Sequence, residues 1–111
     1  MSKIFLGIDA GTSVVKVCAF SAGGEVLGKS QRPVQLITPH PAWAEIDVEH
    51  YWPAVLATAR EALSGFDRVA AAGVSATCPT TIFLDAKFRP VRPRLLSLDS
   101  RSDALVRSFA G

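Results

Sequence analysis

The 111 residues make one small domain or a piece of a larger one, and a composition 49% hydrophobic and 20% charged belongs to a folded chain rather than a disordered one. Twelve basic and ten acidic residues leave a net charge of +2, scattered without blocks of like sign, which removes the electrostatic case for nucleic acid or a membrane surface. Lys3, Asp9 and Lys16 interrupt the apolar N-terminus, so it reads as neither signal peptide nor membrane span; Cys18 and Cys78 build no disulfide framework, and a cytoplasmic setting is expected.

In chain order, Ile4 to Ile8 is an apolar run ending on Asp9, which predicts a strand over residues 3 to 9 with both faces apolar. Residues 14 to 20 form a second β-rich run. Ser21-Ala22-Gly23-Gly24 is a turn, and Glu25 to Ser30 returns as a third strand, completing an antiparallel meander. Residues 31 to 46, with Pro33, Pro39 and Pro41, read as a loop excursion. Asp47 reads as a helix N-cap, and Val48, Trp52, Val55, Leu56, Ala59, Ala62 and Leu63 keep helical spacing until Gly65. Pro53 requires that this helix start near His50 or bend. Arg68 to Ser75 and Thr80 to Leu84 predict strands, followed by a turn over Asp85 to Pro90, a β run at 94 to 99, and weak helical spacing over Ser102 to Phe109. This order predicts a mixed sheet with a helix crossing over to a parallel strand.

The chemistry concentrates at the first hairpin, GIDAGTSVVK. A carboxylate inside a core strand is costly unless paired, hydrogen-bonded or facing a cation. Asp9 sits where the strand gives way to Gly11-Thr12-Ser13, whose small residues let backbone N–H groups and hydroxyls approach phosphate oxygens. Asp9 beside them suits a magnesium ion, which prefers a carboxylate plus substrate phosphate. Lys16 shares a strand face with Val14, Cys18 and Phe20 and could reach back to a phosphate. From the residues alone a second reading stays open, in which Lys16 reaches solvent from an edge strand and Asp9 caps the turn.

Three segments in order, GIDAGTSVVKVCAF, then PAWAEIDVEHYW at 41 to 52, then AAGVSATCPTTIFLDAKFRPVRPRLLSLDSR at 71 to 101, resemble the FGGY carbohydrate kinases over nearly the whole chain. The opening motif is shared with the wider sugar-kinase, actin and heat-shock ATPase superfamily; the W-x-E-x-D segment and the LD…RPVRP…LD-R tail single out the FGGY kinases. The resemblance implies a ribonuclease-H-like α/β domain, a mixed sheet with an antiparallel opening meander and a crossover helix, one of two domains that close around ATP and a sugar. It implies ATP with Mg2+ as cofactors, with Asp9, Gly11, Thr12, Ser13 and Lys16 as the phosphate motif and Asp9 toward the metal. The implied reaction is transfer of the γ-phosphoryl group to a sugar or polyol hydroxyl.

The family's sugar loop maps to residues 76 to 80, so Thr77, Cys78 and Pro79 are substrate-site candidates, joined by Ser97 and Asp99. Cys78-Pro79 matches neither the Arg-Glu of glycerol kinases nor the Met-His of xylulose kinases, and a pentulose or related substrate is expected. Cys78 also reads simply as a small packing residue. Ser97 stands where many members have tryptophan, and Asp99 with Arg101 matches the family's D-x-R as either a loop-holding ion pair or a substrate contact. Trp43 and Trp52 are expected to pack at the loop-to-helix junction, and His40 and His50 lack metal spacing. The family's catalytic aspartate lies later in the chain, matched by neither Asp85 nor Asp99. Residues 1–111 are therefore expected to be the N-terminal part of a truncated first domain, inactive alone and prone to self-association. The alternative is a non-catalytic sugar-sensing or binding domain that keeps the fold.

Overall fold

Alternating apolar residues build the opening strands in the computed structural model, which describes residues 3–111. The chain divides into two units, one running to Val34 and resuming over His50–Thr77, the other formed by Gln35–Glu49 and Cys78–Gly111.

In the first unit, β1 (Ile4–Ala10), β2 (Val14–Ser21) and β3 (Val26–Pro33) form the expected antiparallel meander. β1 also pairs in parallel with a fourth strand, Ala71–Ala76, giving the sheet order third, second, first, fourth. The parallel strand is reached through α1 (Val48–Ala62), so the crossover predicted from the element order is present. Ile4, Leu6, Val15, Val17 and Ala19 point to one face of the sheet and are buried with Val55 and Ala62 of α1. Each fully buried aliphatic side chain of this kind contributes roughly 1.5–3 kcal/mol. The buried Thr58 hydroxyl is satisfied by the Ala54 carbonyl at 2.7 Å. Glu61 ties α1 to β3, accepting from the Ser30 hydroxyl at 2.6 Å and pairing with Arg32.

Several boundaries differ from the sequence expectation. β3 runs on to Pro33 instead of stopping at Ser30, because it is an edge strand and an edge tolerates a residue without an N–H. The helix starts at Val48 and continues through Pro53. Its cap is as predicted: the Asp47 carboxylate accepts from the Glu49 N–H at 2.9 Å. Gly65, at φ +89°, turns the chain after the helix. The strand expected from Arg68 begins only at Ala71.

The second unit holds a small antiparallel sheet of β4 (Glu45–Ile46), β6 (Thr80–Thr81) and β7 (Arg94–Leu96), with β7 in the middle; the parallel strand Ala71–Ala76 of the first unit is β5. The supposed loop over 31 to 46 is more ordered than expected, since Ile37 bridges to Glu45, the first residue of β4. Conversely, within the run at 80 to 84 only Thr80 and Thr81 join the sheet, and an isolated bridge from Leu84 to Pro90 closes the turn at Asp85. β7 stops at Leu96, where the chain turns back through the Asp99 N–H to Leu96 carbonyl bond of 3.0 Å. The terminal helix α2 (Asp103–Phe109) buries none of its residues. No described helix is long and apolar enough to cross a membrane.

Candidate functional site

The hairpin turn between β1 and β2 is built from residues whose backbone is held on one side and open on the other. The Tyr51 hydroxyl of α1 donates to the Gly11 carbonyl at 2.7 Å, the Val34 N–H donates to the Ser13 carbonyl at 2.9 Å, and the Thr77 N–H donates to the Ala10 carbonyl at 3.3 Å. The Ala10, Gly11 and Ser13 carbonyls are thus taken by the framework. The N–H groups of Gly11, Thr12 and Ser13 give no hydrogen bond among the described residues. A Cβ on Gly11 would lie 2.6 Å from the Val14 carbonyl oxygen, so the tightness of the turn requires glycine there.

Asp9 stands opposite Lys16 on β2 and opposite Ser75 on β5, all three on the sheet face away from the core. It is exposed, which corrects the expectation of a carboxylate buried in the core: its position at the strand end carries no burial penalty. Asp9 and Lys16 face each other without forming an ion pair among the described residues, leaving a carboxylate, an ammonium and three backbone donors around one turn. Together they offer an oxyanion both direct donors and a cation.

Tyr51 escaped the sequence reading. It lies on the same helical stripe as the buried Val55, Thr58 and Ala62, and a tyrosine on such a stripe needs a partner for its hydroxyl. Tyr51→Phe is expected to lower stability by about 1 kcal/mol, read as a shift in the urea midpoint at unchanged slope.

In the second unit, a cavity of about 340 Å³ is lined by Pro79, Thr80, Thr81, Leu95, Leu96, Ser97, Asp99, Arg101 and Ser102. Three of the five expected sugar-site residues, Pro79, Ser97 and Asp99, meet here. Thr77 belongs to the first unit and bonds to Ala10, and Cys78 is exposed and outside the lining, joined to Pro79 by a cis peptide bond. The Thr80 hydroxyl is used internally, donating to the Leu95 carbonyl at 2.9 Å. The hydroxyls of Thr81, Ser97 and Ser102 donate to nothing among the described residues, so they are available to a polar ligand.

Asp99 is the cavity's carboxylate, and its oxygens are already engaged. Oδ1 accepts from the Arg101 N–H at 3.1 Å and Nε at 2.8 Å; Oδ2 accepts from the Ala44 N–H at 2.8 Å and Arg101 Nη2 at 2.6 Å. Its side chain is only 6% exposed. The Arg101 guanidinium also reaches Glu45 Oε1 at 2.6 Å and lies 3.7 Å over the Trp43 ring, against which His40 packs edge-on at 4.3 Å. Arg92 meets the same Glu45 oxygen at 2.6 Å. The W-x-E-x-D segment and the D-x-R tail are thus two halves of one clamp, and sequence spacing could not show it because Glu45 and Arg101 lie 56 positions apart. Trp43 packs in that clamp as expected. Trp52 does not pack as expected: it is 60% exposed, on the side of α1 away from the core stripe.

The Arg101 hydrogen bonds hold the Asp99 carboxyl well below the usual carboxylate range against the opposing effect of desolvation, and Asp99 in turn raises the Arg101 pKa. A carboxyl with a depressed folded pKa contributes stability that is complete above its unfolded value of about 3.9 and is lost as pH falls below it. The melting temperature should therefore fall through this acid window, and Asp99→Asn should flatten that part of the dependence while melting lower at neutral pH.

Residues 4–110 match the FGGY family of carbohydrate kinases, N-terminal domain. Glycerol kinase of Aquifex aeolicus is 33% identical over 97% of the chain, and xylulose kinase of Escherichia coli 36% identical over 88%. Among solved structures, xylulose kinase from Rhodospirillum rubrum superposes with a TM-score of 0.89 at 25% identity, over 97% of the chain. Gluconate kinase from Lactobacillus acidophilus shares the fold with a TM-score of 0.92 at 20% identity, over 99% of the chain. The chain spans 23% of the length of the Aquifex aeolicus and Rhodospirillum rubrum proteins and of the gluconate kinase, and 21% of the Escherichia coli protein. With its mixed sheet, crossover helix and interlocked motifs, the chain belongs to the FGGY family of carbohydrate kinases, within the N-terminal domain.

Proposed function

We propose that the chain supplies the phosphate-binding hairpin and part of the sugar pocket of an ATP-dependent kinase that acts in the cytoplasm on a pentulose or related polyol. The observation that carries this reading is the turn at Gly11–Ser13, where three backbone N–H groups stand free beside Asp9 and Lys16. Phosphoryl transfer asks the protein for positioning and charge neutralisation, and this turn offers both. Gly11, Thr12 and Ser13 orient phosphate oxygens, and Lys16 balances their charge. Among the described residues no three His, Cys, Asp or Glu side chains form a metal cage. A single exposed carboxylate suits Mg2+, which is commonly held by one carboxylate with substrate phosphates and water, so Asp9 would hold it. When bound, that ion neutralises charge on the phosphate oxygens.

In the pocket, the free hydroxyls of Thr81, Ser97 and Ser102 suit a polyhydroxylated substrate, and serine at 97 leaves polar room beside Pro79. Asp99 cannot take a proton from the substrate while Arg101 and Ala44 hold both its oxygens, so its part is to hold the loop that carries Ser97. The catalytic base is then a residue other than Asp99, and this reading expects it outside residues 1–111. The second reading is a sugar-binding module without turnover, which the Cys78-Pro79 pair and Ser97 permit. The two separate in one assay: ADP release from Mg-ATP across a panel of pentuloses and polyols. The kinase reading expects sugar-dependent turnover by the proposed full-length kinase and none by the 111 residues; sugar binding without ADP release by that full-length chain would establish the second.

A further inference from the structure

The sheet face away from α1 carries a second group of cations beyond the hairpin. β2 presents Lys16 and Cys18 on that face, and the register of β3 sets Gln31 opposite Lys16 and Lys29 opposite Cys18. Lys16, Cys18, Lys29, Ser30 and Gln31 line one cavity of about 320 Å³. The Ser30 hydroxyl is engaged by Glu61 on the other face. Neither lysine has an ion-pair or hydrogen-bond partner among the described residues, although Asp9 stands directly across from Lys16. Two ammonium groups on neighbouring strands of one ladder repel when the cavity is empty, and that cost is relieved by an occupant whose negative charge is spread over several oxygens. Gln31 adds an amide donor at the same level as Lys16.

The cavity lies along β2 beyond the hairpin: Lys16, in its lining, is two residues past Val14, the first residue of the strand after the turn. We propose that Lys29 is a second phosphate-positioning lysine, which with Lys16 and Gln31 takes the oxygens of a diphosphate group whose other end reaches the Gly11–Ser13 turn. The inference rests on the phosphate reading of that turn. One lysine beside a turn suffices for a single phosphate; two lysines at successive levels of a ladder fit a longer anion. Lys29 needs only a strand position and a free side chain, so a conservative cation is expected to serve in its place.

The test is calorimetric titration of the 111-residue chain with inorganic pyrophosphate and, separately, orthophosphate at matched ionic strength, with backbone amide shifts followed in parallel. The wild-type chain should bind pyrophosphate more tightly than orthophosphate, with shifts at Lys16, Cys18, Lys29 and Gln31 together with Gly11–Ser13. Lys29→Gln should weaken pyrophosphate by about tenfold, as expected for one lost charge-assisted contact, while Lys29→Arg keeps most of the affinity. Wild-type affinity in Lys29→Gln, with shifts confined to Gly11–Ser13, would overturn the role of Lys29 and leave the hairpin reading standing. Equal affinity for the two anions would overturn the diphosphate assignment. Shifts at the lysines with none at the turn would sink the hairpin reading, and with it the claim that one anion spans both.

Discussion

Glu45→Ala is expected to lower the stability of the second unit by on the order of 2–3 kcal/mol, below the full range for breaking a buried ion pair because one partner can return to water. Glu45 is 4% exposed and one of its oxygens holds both Arg92 and Arg101 at 2.6 Å. Arg92, with 38% of its side chain exposed, is the partner that can swing out. Arg101 cannot leave so easily, since it is fixed by Asp99 and stacked on Trp43. Its charge would then lean on Asp99 alone, and the Asp99 bond to the Ala44 N–H, which joins the tail to the segment before β4, would lose its counterweight. For a domain of this size the melting temperature should drop by roughly 10 °C or more. Glu45→Gln, which keeps shape and one acceptor, should recover part of the loss. An unchanged melting temperature in Glu45→Ala would mean that the clamp is a surface ornament and that Ser97 is positioned by something else.

Gly28→Ala is expected to be the most damaging single-methyl change in the first unit. A Cβ at this position of β3 would run into the Ala62 carbonyl at the end of α1, a backbone atom that cannot turn away. No rotamer relieves it, so helix and strand must separate, and the Ser30 and Arg32 contacts to Glu61 loosen with them. Overpacking of this kind costs about 1–3 kcal/mol. Gly73→Ala is the matched control: it lies in β5, where a Cβ would meet nothing within 4 Å. The urea midpoint should fall clearly for Gly28→Ala and stay within about 0.5 kcal/mol of the parent for Gly73→Ala, which is the range of surface substitutions. Equal midpoints would refute the claim that α1 rests directly on β3.

The parts of the fold governed by local signals were legible in the chain. The apolar run to Asp9, the Ser21–Gly24 turn and the Asp47 cap lie within a few residues of what they determine, and the meander and crossover helix follow from them. What failed depended on position in the sheet or on distant partners. Pro33 argues for a break unless the strand is known to be an edge. Residues 37 to 46 look irregular because their order comes from β7 and the Glu45 clamp, supplied from about 50 residues away. Asp9 looked buried because strand periodicity cannot say that one face of a sheet is open. Trp52 fitted the helical spacing of the apolar stripe, yet the stripe that packs runs through Tyr51, Val55, Thr58 and Ala62. At the candidate site, the hairpin residues are proposed from their own string, whereas Tyr51, Glu45 and Arg92 act through partners that only the fold brings near.

The turn after β1 is proposed to hold the phosphates of ATP with Asp9 at its edge. The most direct measurement is sugar-dependent ADP release by the proposed full-length kinase and by its Asp9→Asn variant, across a series of Mg2+ concentrations. Asp9→Asn keeps the size and exposure of the side chain and removes only its charge. The account predicts a fall in kcat of roughly 100-fold or more, the scale for losing one preorganised electrostatic group, with higher Mg2+ restoring part of it and the melting temperature unchanged. Parent-like turnover and Mg2+ dependence in Asp9→Asn would contradict it and place the phosphates elsewhere on the molecule.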